Sequence, residues 1–372
     1  MSNPPTLIFI PGSWHKPICY DPVIKLLQDQ HDLKCIAITL PSTSGDPAAT
    51  FKDDVDVARA AIADEISHGR NVVVVAHSYG GMVGNSAIKG FAKTQHHQYQ
   101  QQQEEIRDVD ADVDANANSN TTGIAADSET QQSTSDITDT NTHNDTAHGN
   151  IIGLILIASG FTLTGVAFMD PFLSRPPPSW RINPSTGYAE LVTPPEEYFY
   201  HDLPPSSAAY WTSQLTTQSL KALFEGREYA YAGWRDVPTW YIGTVEDRGL
   251  PVLAQRMQVG MAREMGGRVQ HRELQTSHSP FLSQPGATVG IMVEAVEAFV
   301  REVGGDDGLI RGRREGGRGE VVAVRPEATL WRPLSWFKFG LPLVLGHVVG
   351  RGILAFAWGK RVWRSRLGLR SV

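Results

Sequence analysis

The chain of 372 residues has only two cysteines, Cys19 and Cys35, so a disulfide framework is excluded as its source of stability. Its N-terminus lacks the charged segment and long apolar run of a secretory signal, and a reducing, cytoplasmic location is therefore expected. Positive charge is scarce: the formal net charge is -7 and no basic stripe crosses the body of the sequence, which argues against nucleic acid as a partner. No His/Cys cluster has metal-ligand spacing and no glycine-rich loop is placed to cradle a phosphate. No metal or other cofactor is expected.

What is present is concentrated in Asn71-Val-Val-Val-Val-Ala-His77-Ser78-Tyr79-Gly80-Gly81, an unbroken apolar run that stops on a serine among very small neighbours. Four consecutive valines have no amphipathic period and suit a parallel strand covered on both faces. The glycine-rich segment that follows suits a helix packed close behind it. A strand-to-helix turn of this kind strains the serine backbone and tolerates only tiny residues two before and two after it. Ala76 and Gly80 hold those positions, alanine replacing the commoner glycine.

Ser78 needs a base, because an isolated hydroxyl is too weakly acidic to attack a carbonyl. Arg268 to Leu274 reads as a strand, and the loop beyond it carries His278 before a helix that begins near Gln284. Open parallel sheets place their chemistry in loops at the carboxyl ends of strands, so His278 is the candidate base. His15, His77, His201 and His271 are the other histidines considered; His271 falls inside the predicted strand and His77 adjoins the turn. Val237 to Gly243 is a further strand, and Asp247 just past it is the candidate orienting acid. Glu246 competes with it, since either carboxylate serves this geometry, and Asp236 precedes the same strand. The negative oxygen that develops during attack needs two backbone donors. The amide of Tyr79 follows the nucleophile, and that of Ser13 lies in the Pro11-Gly12 turn after the strand Thr6 to Ile10.

The segments Ile10-Pro-Gly-Ser-Trp-His15, Val75-Ala-His-Ser-Tyr-Gly-Gly81, Glu246-Asp-Arg-Gly-Leu-Pro251 and Ser277-His-Ser-Pro280 resemble the α/β-hydrolase superfamily. More narrowly, they resemble stand-alone bacterial and fungal hydrolases related to plant methyl esterases and hydroxynitrile lyases, over most of the chain up to about Glu302. The resemblance implies an α/β fold with a mostly parallel sheet, helices on both faces and a helical lid, and a triad of Ser78, Asp247 and His278. The lyase branch carries lysine after the histidine and threonine in the first loop. Here those positions are Ser279 and Gly12, which favours hydrolysis. The expected activity is cleavage of a small-molecule carboxylic ester or thioester. The alternatives are a lyase of this fold and a non-catalytic small-molecule-binding protein, because one fold hosts many functions.

The expected organisation is a catalytic domain over 1–303 with additions. Residues 94–149 form a polar tract too poor in apolar side chains to offset ordering entropy, and are predicted to be a disordered surface insertion. A lid is expected over 161–234, where Pro176-Pro177-Pro178, Pro194-Pro195 and Pro204-Pro205 interrupt helices and Trp180, Tyr198, Phe199, Tyr200, Tyr210 and Trp211 add bulk. Tyr20 to Gln30 and the segment from Asp46-Pro47 to Ser67 read as helices, Leu33 to Leu40 as a strand and Val289 to Val300 as the last helix of the domain. A Gly/Arg-rich linker spans 304–330. In the final segment, 331–372, Trp336 to Trp358 is strongly apolar yet contains His347 and Arg351, and basic residues follow it. A membrane-spanning helix, an interfacial helix touching the membrane through 336–370, and simple packing onto the body all fit that pattern.

Overall fold

The computed structural model describes residues 4–92, 149–304, 324–326 and 333–366. The polar tract and the Gly/Arg-rich segment therefore lie almost wholly outside the described residues. Three short apolar runs become strands buried along their full length: Thr6–Ile10 (β1), Val72–His77 (β3) and Ile151–Ile157 (β4). With Cys35–Ala37 (β2), Thr239–Thr244 (β7) and Val269–Leu274 (β8) they form a six-stranded sheet, order β2-β1-β3-β4-β7-β8, in which every pair is parallel. Such a sheet must be covered on both faces. Helices Asp21–His31 (α1), Phe51–Ser67 (α2), Gly80–Ala87 (α3), Pro205–Ser213 (α4), Val252–Glu264 (α5), Pro285–Glu302 (α6) and Leu341–Arg366 (α7) complete the main elements. α1 packs against α6 and α2 against α3, while α5 follows β7 and packs on β7 and β8. Gly153 in β4 is needed because the Phe299 ring of α6 occupies the place a β-carbon would take.

Register puts the strand ends level. Ile10 pairs with Ala76, Ala76 with Leu156, and Thr244 with Leu274, so the loops leaving β1, β3, β7 and β8 gather at one rim. The chain leaves β1 toward β2 and returns to the opposite side as β3, so the strand order reverses between β1 and β3. Crevices for chemistry open at such a reversal.

Several boundaries differ from the sequence expectation. α2 begins at Phe51 rather than near Pro47, because Thr50 and Asp53 close a reciprocal capping box while Asp46 Oδ1 accepts the Ala48 amide in a local turn at 2.8 Å. β2 spans only Cys35–Ala37: it is the edge strand, and Pro41 starts a separate helical turn soon after. The excursion between β4 and β7 carries an antiparallel hairpin, Trp180–Asn183 (β5) with Tyr188–Leu191 (β6), as well as short helices. Two of its proline pairs start helices instead of breaking them. Pro195 and Pro205 each occupy the first helical position, where a missing N–H is harmless. Trp180, Tyr198, Phe199 and Tyr200 are buried, whereas Tyr210 is about half exposed.

At the other edge of the sheet, Val324 bridges antiparallel to Glu273 of β8. The apolar segment near the C-terminus is helical from Trp336, first as a π-helical turn, then as α7, which lies along α5.

Candidate active site

Ser78 sits where β3 gives way to α3, with φ of 50°, in the left-handed region that costs a non-glycine residue about 1–2 kcal/mol. Hydrogen bonds hold it there. Its amide donates to the Ile157 carbonyl at 3.1 Å, and its carbonyl accepts from Ser159 Oγ at 2.6 Å and from the Gly81 amide at 3.0 Å. The small neighbours have specific reasons to be small. A β-carbon on Gly80 would overlap the carbonyl oxygens of Ile10 and Pro11, and one on Gly81 would overlap Ser159 Oγ. The Ala76 methyl is accommodated by Gly84 of α3, whose own β-carbon would lie 3.1 Å from it. The departure from glycine two residues before the serine is thus matched by a glycine six residues after it.

The loop after β1 comes equally close. A β-carbon on Gly12 would stand 2.9 Å from His77 Nδ1 and 3.0 Å from Ser78 Cβ, so this backbone lies directly against the turn. Trp14 holds φ of 62°, another strained position, with its indole N–H bonded to the Ala189 carbonyl. Neither the Ser13 amide nor the Tyr79 amide donates to another group among the described residues. Two donors are therefore free at the mouth of the turn.

His278 lies in the loop after β8, almost fully buried, and its Nδ1 is 2.8 Å from Asp247 Oδ2. Asp247 Oδ2 also accepts from Thr244 Oγ1 at 2.7 Å and Gln255 Nε2 at 3.2 Å, while Oδ1 accepts the amides of Gly249 and Leu250, both at 2.7 Å. A buried carboxylate surrounded only by donors is held in place, and as an acceptor it fixes the proton of His278 on Nδ1. Glu246, half exposed, turns away to Gln275 Nε2, and Asp236 to Tyr231. The structure thus brings Asp247, and not its two competitors, to His278. Ser78 Oγ shares no hydrogen bond with His278 among the described residues, and such contacts in unliganded sites often tighten only when substrate binds.

The tie between the serine turn and the histidine loop is a residue that sequence reasoning placed beside the turn without a role. His77 Nε2 is 3.0 Å from the His278 carbonyl, which can only accept, so the imidazole proton is on Nε2; the two rings lie 4.6 Å apart. Burial, with His278 and His15 nearby, drives the His77 pKa well below its ordinary value, so the ring is neutral. His15 works in the same way on the other side. Its Nδ1 donates to the Ser13 carbonyl at 2.7 Å, leaving Nε2 to accept the Tyr200 hydroxyl at 2.8 Å, and burial lowers its pKa to about 4. It fastens the excursion that carries Tyr200 to the loop that carries Ser13. Phe199, next to Tyr200, places its ring 5.6 Å from that of His278.

The Tyr79 side chain anchors the turn to α2, its hydroxyl donating to Asp54 Oδ2 at 2.7 Å. Asp54 is fully buried, and desolvation raises its pKa to about 6. Thr244, Gln255, His77 and Asp54 are the supporting groups that the sequence did not announce. His77 and Thr244 end largely apolar buried strands, the one signal that could have marked them, whereas Asp54 and Gln255 lie on helices rich in polar residues and nothing in the sequence sets them apart. No group of three or more His, Cys, Asp or Glu is arranged to hold a metal ion among the described residues.

Residues 7–291 match the family model described as the alpha/beta hydrolase family. Among curated proteins, the chain is 22% identical to an alpha/beta hydrolase, nvfD, of Aspergillus novofumigatus over 296 residues, 78% of this chain and 96% of that one. Among solved structures, it resembles a pyrethroid hydrolase from Sphingobium faniae JZ-2 at 18% identity and TM-score 0.51, covering 79% of this chain and 98% of that one. It also resembles the methylesterase MES16 from Arabidopsis at 15% identity and TM-score 0.52, covering 79% and 99%. At these identities the structural likenesses establish the fold.

Proposed function

We propose that this chain, which belongs to the alpha/beta hydrolase family, is a serine hydrolase that cleaves a small-molecule carboxylic ester or thioester through an acyl-enzyme. The observation that carries the reading is the buried His278–Asp247 pair, 2.8 Å apart, tied by His77 to a serine held at φ of 50°. Asp247 keeps the His278 proton on Nδ1, so Nε2 is the acceptor that takes the Ser78 proton as Oγ attacks the carbonyl. The charge that forms on the carbonyl oxygen is met by the amides of Ser13 and Tyr79, free donors in the two loops that meet at the strand reversal. His278 then returns the proton to the departing alcohol or thiol. Water repeats the sequence to release the acid.

The excursion over 161–234 serves as the lid in this reading, with Phe199 bringing an apolar wall to His278 and Tyr200 locking the wall to the first loop through His15. The names of a pyrethroid hydrolase and a methylesterase among the structural neighbours agree with an ester as substrate. The test is twofold. A fluorophosphonate probe should label Ser78, and Ser78→Ala should lower turnover of a small activated ester by several orders of magnitude. Labelling without turnover across esters of graded acyl length would instead favour a binding protein, and undiminished turnover in the alanine variant would reject the mechanism.

A further inference from the structure

α7 has two unlike faces. Toward the body it packs through glycine: a β-carbon on Gly346 would overlap the Met257 carbonyl, and one on Gly260 of α5 would overlap the Leu343 carbonyl, so the two backbones run in near contact. The polar groups within the apolar run are fastened on this side too. Glu264, at the end of α5, takes His347 Nδ1 at 2.8 Å and Arg351 Nε at 2.6 Å, one on each carboxylate oxygen. Away from the body, Phe337, Leu341, Leu345, Val348, Phe356 and Trp363 recur at helical spacing and stand 41–74% exposed.

By length and composition, Trp336–Lys360 could cross a membrane, with 28% of its apolar window buried. Spanning needs about twenty apolar residues free of the body. Here the first half is held against α5, and only the residues after Arg351 run on past the end of that helix. The segment 331–372 carries eight basic and no acidic residues in a chain of net charge -7, and Lys360, Arg361, Arg364 and Arg366 follow directly on the apolar stripe. An exposed apolar stripe ending in aromatic and basic residues matches an anionic lipid surface in both depth and charge.

We infer that α7 docks this protein flat on an anionic phospholipid membrane, its glycine face staying on α5 and its outer stripe entering the headgroup region without crossing. The inference is independent of the hydrolytic reading. It is tested by sedimenting the full chain with vesicles of phosphatidylcholine alone and with about 30% phosphatidylserine. Binding is expected only with the anionic lipid, reversed by high salt and extracted by alkaline carbonate.

The triple variant Val348→Glu, Phe356→Glu, Trp363→Glu should abolish binding with thermal unfolding unchanged, since these side chains are exposed. Neutralising Lys360, Arg361 and Arg364 to glutamine should weaken binding about fivefold per group. Absence of binding to either vesicle, or resistance to carbonate, which marks a spanning helix, would overturn the inference. So would a vesicle-indifferent dimer that the glutamate variant dissociates, for then the stripe faces a second copy.

Discussion

The arrangement around Asp247 makes a sharp forecast for Asp247→Asn, which changes no volume and removes one charge. Both acceptors of Asp247 Oδ1 are spoken for by backbone amides, those of Gly249 and Leu250, which can only donate. Asparagine must therefore keep its carbonyl oxygen on that side and present its NH2 to Thr244, Gln255 and His278. Gln255 cannot flip to help, because its own Nε2 is committed to the Thr244 and Leu250 carbonyls and its Oε1 to the Thr244 amide. His278 Nδ1 then has to accept, which moves the imidazole proton to Nε2, the nitrogen that should receive the serine proton. A tautomer reversal of this kind costs about 10^4-fold in kcat, or about 5.4 kcal/mol. Steady-state hydrolysis of a small activated ester measures the loss, and imidazole 15N shifts of His278 report the tautomer directly. A folded Asp247→Asn protein with turnover within about tenfold of the parent would refute the whole chain of reasoning, since ~1.4 kcal/mol is too little for a base with its proton on the wrong nitrogen.

Tyr79→Phe separates the two uses of that residue: it keeps the backbone amide and removes the hydroxyl on Asp54, so turnover should stay within a few-fold while chemical denaturation shows a loss of about 1–3 kcal/mol. Gly80→Ala should abolish activity and lower the unfolding temperature markedly, because its methyl meets backbone carbonyls of Ile10 and Pro11 that cannot rotate away. Stability should fall as pH drops from 6.5 toward 4. His15, with its pKa lowered to about 4, and His77 and His271, both lowered well below the ordinary value by burial, stay neutral in the fold but take up protons when unfolded. Each contributes a slope of about 1.4 kcal/mol per pH unit, complete above 6.5 and lost on acidification. Asp54 runs the other way: raised to about 6, it binds a proton in the native state between pH 6 and 3.8 and offsets one histidine. Urea midpoints followed by circular dichroism across this range check the sign, and a midpoint independent of pH would contradict it.

The sequence alone determined a great deal, and for a definite reason. Short β-branched apolar runs ending in small residues suit a doubly covered parallel sheet, and the order serine, acid, histidine along those runs put all three beside strand ends. The placement of Ser78 in a strained turn and of His278 in a strand-end loop was legible because the local chemistry of such segments is written in adjacent residues. Tertiary structure decided what depends on partners distant in the chain. Asp247 and Glu246 are neighbours of the same charge, and only the donors converging from Gly249, Leu250, Thr244 and Gln255 separate them. The same holds for His77, whose bond to the His278 carbonyl spans 201 residues, and for α7, where spacing could not say which face glycine would press against α5. Periodicity fixes which residues share a face, but the identity of the opposing surface is set by packing across the whole chain.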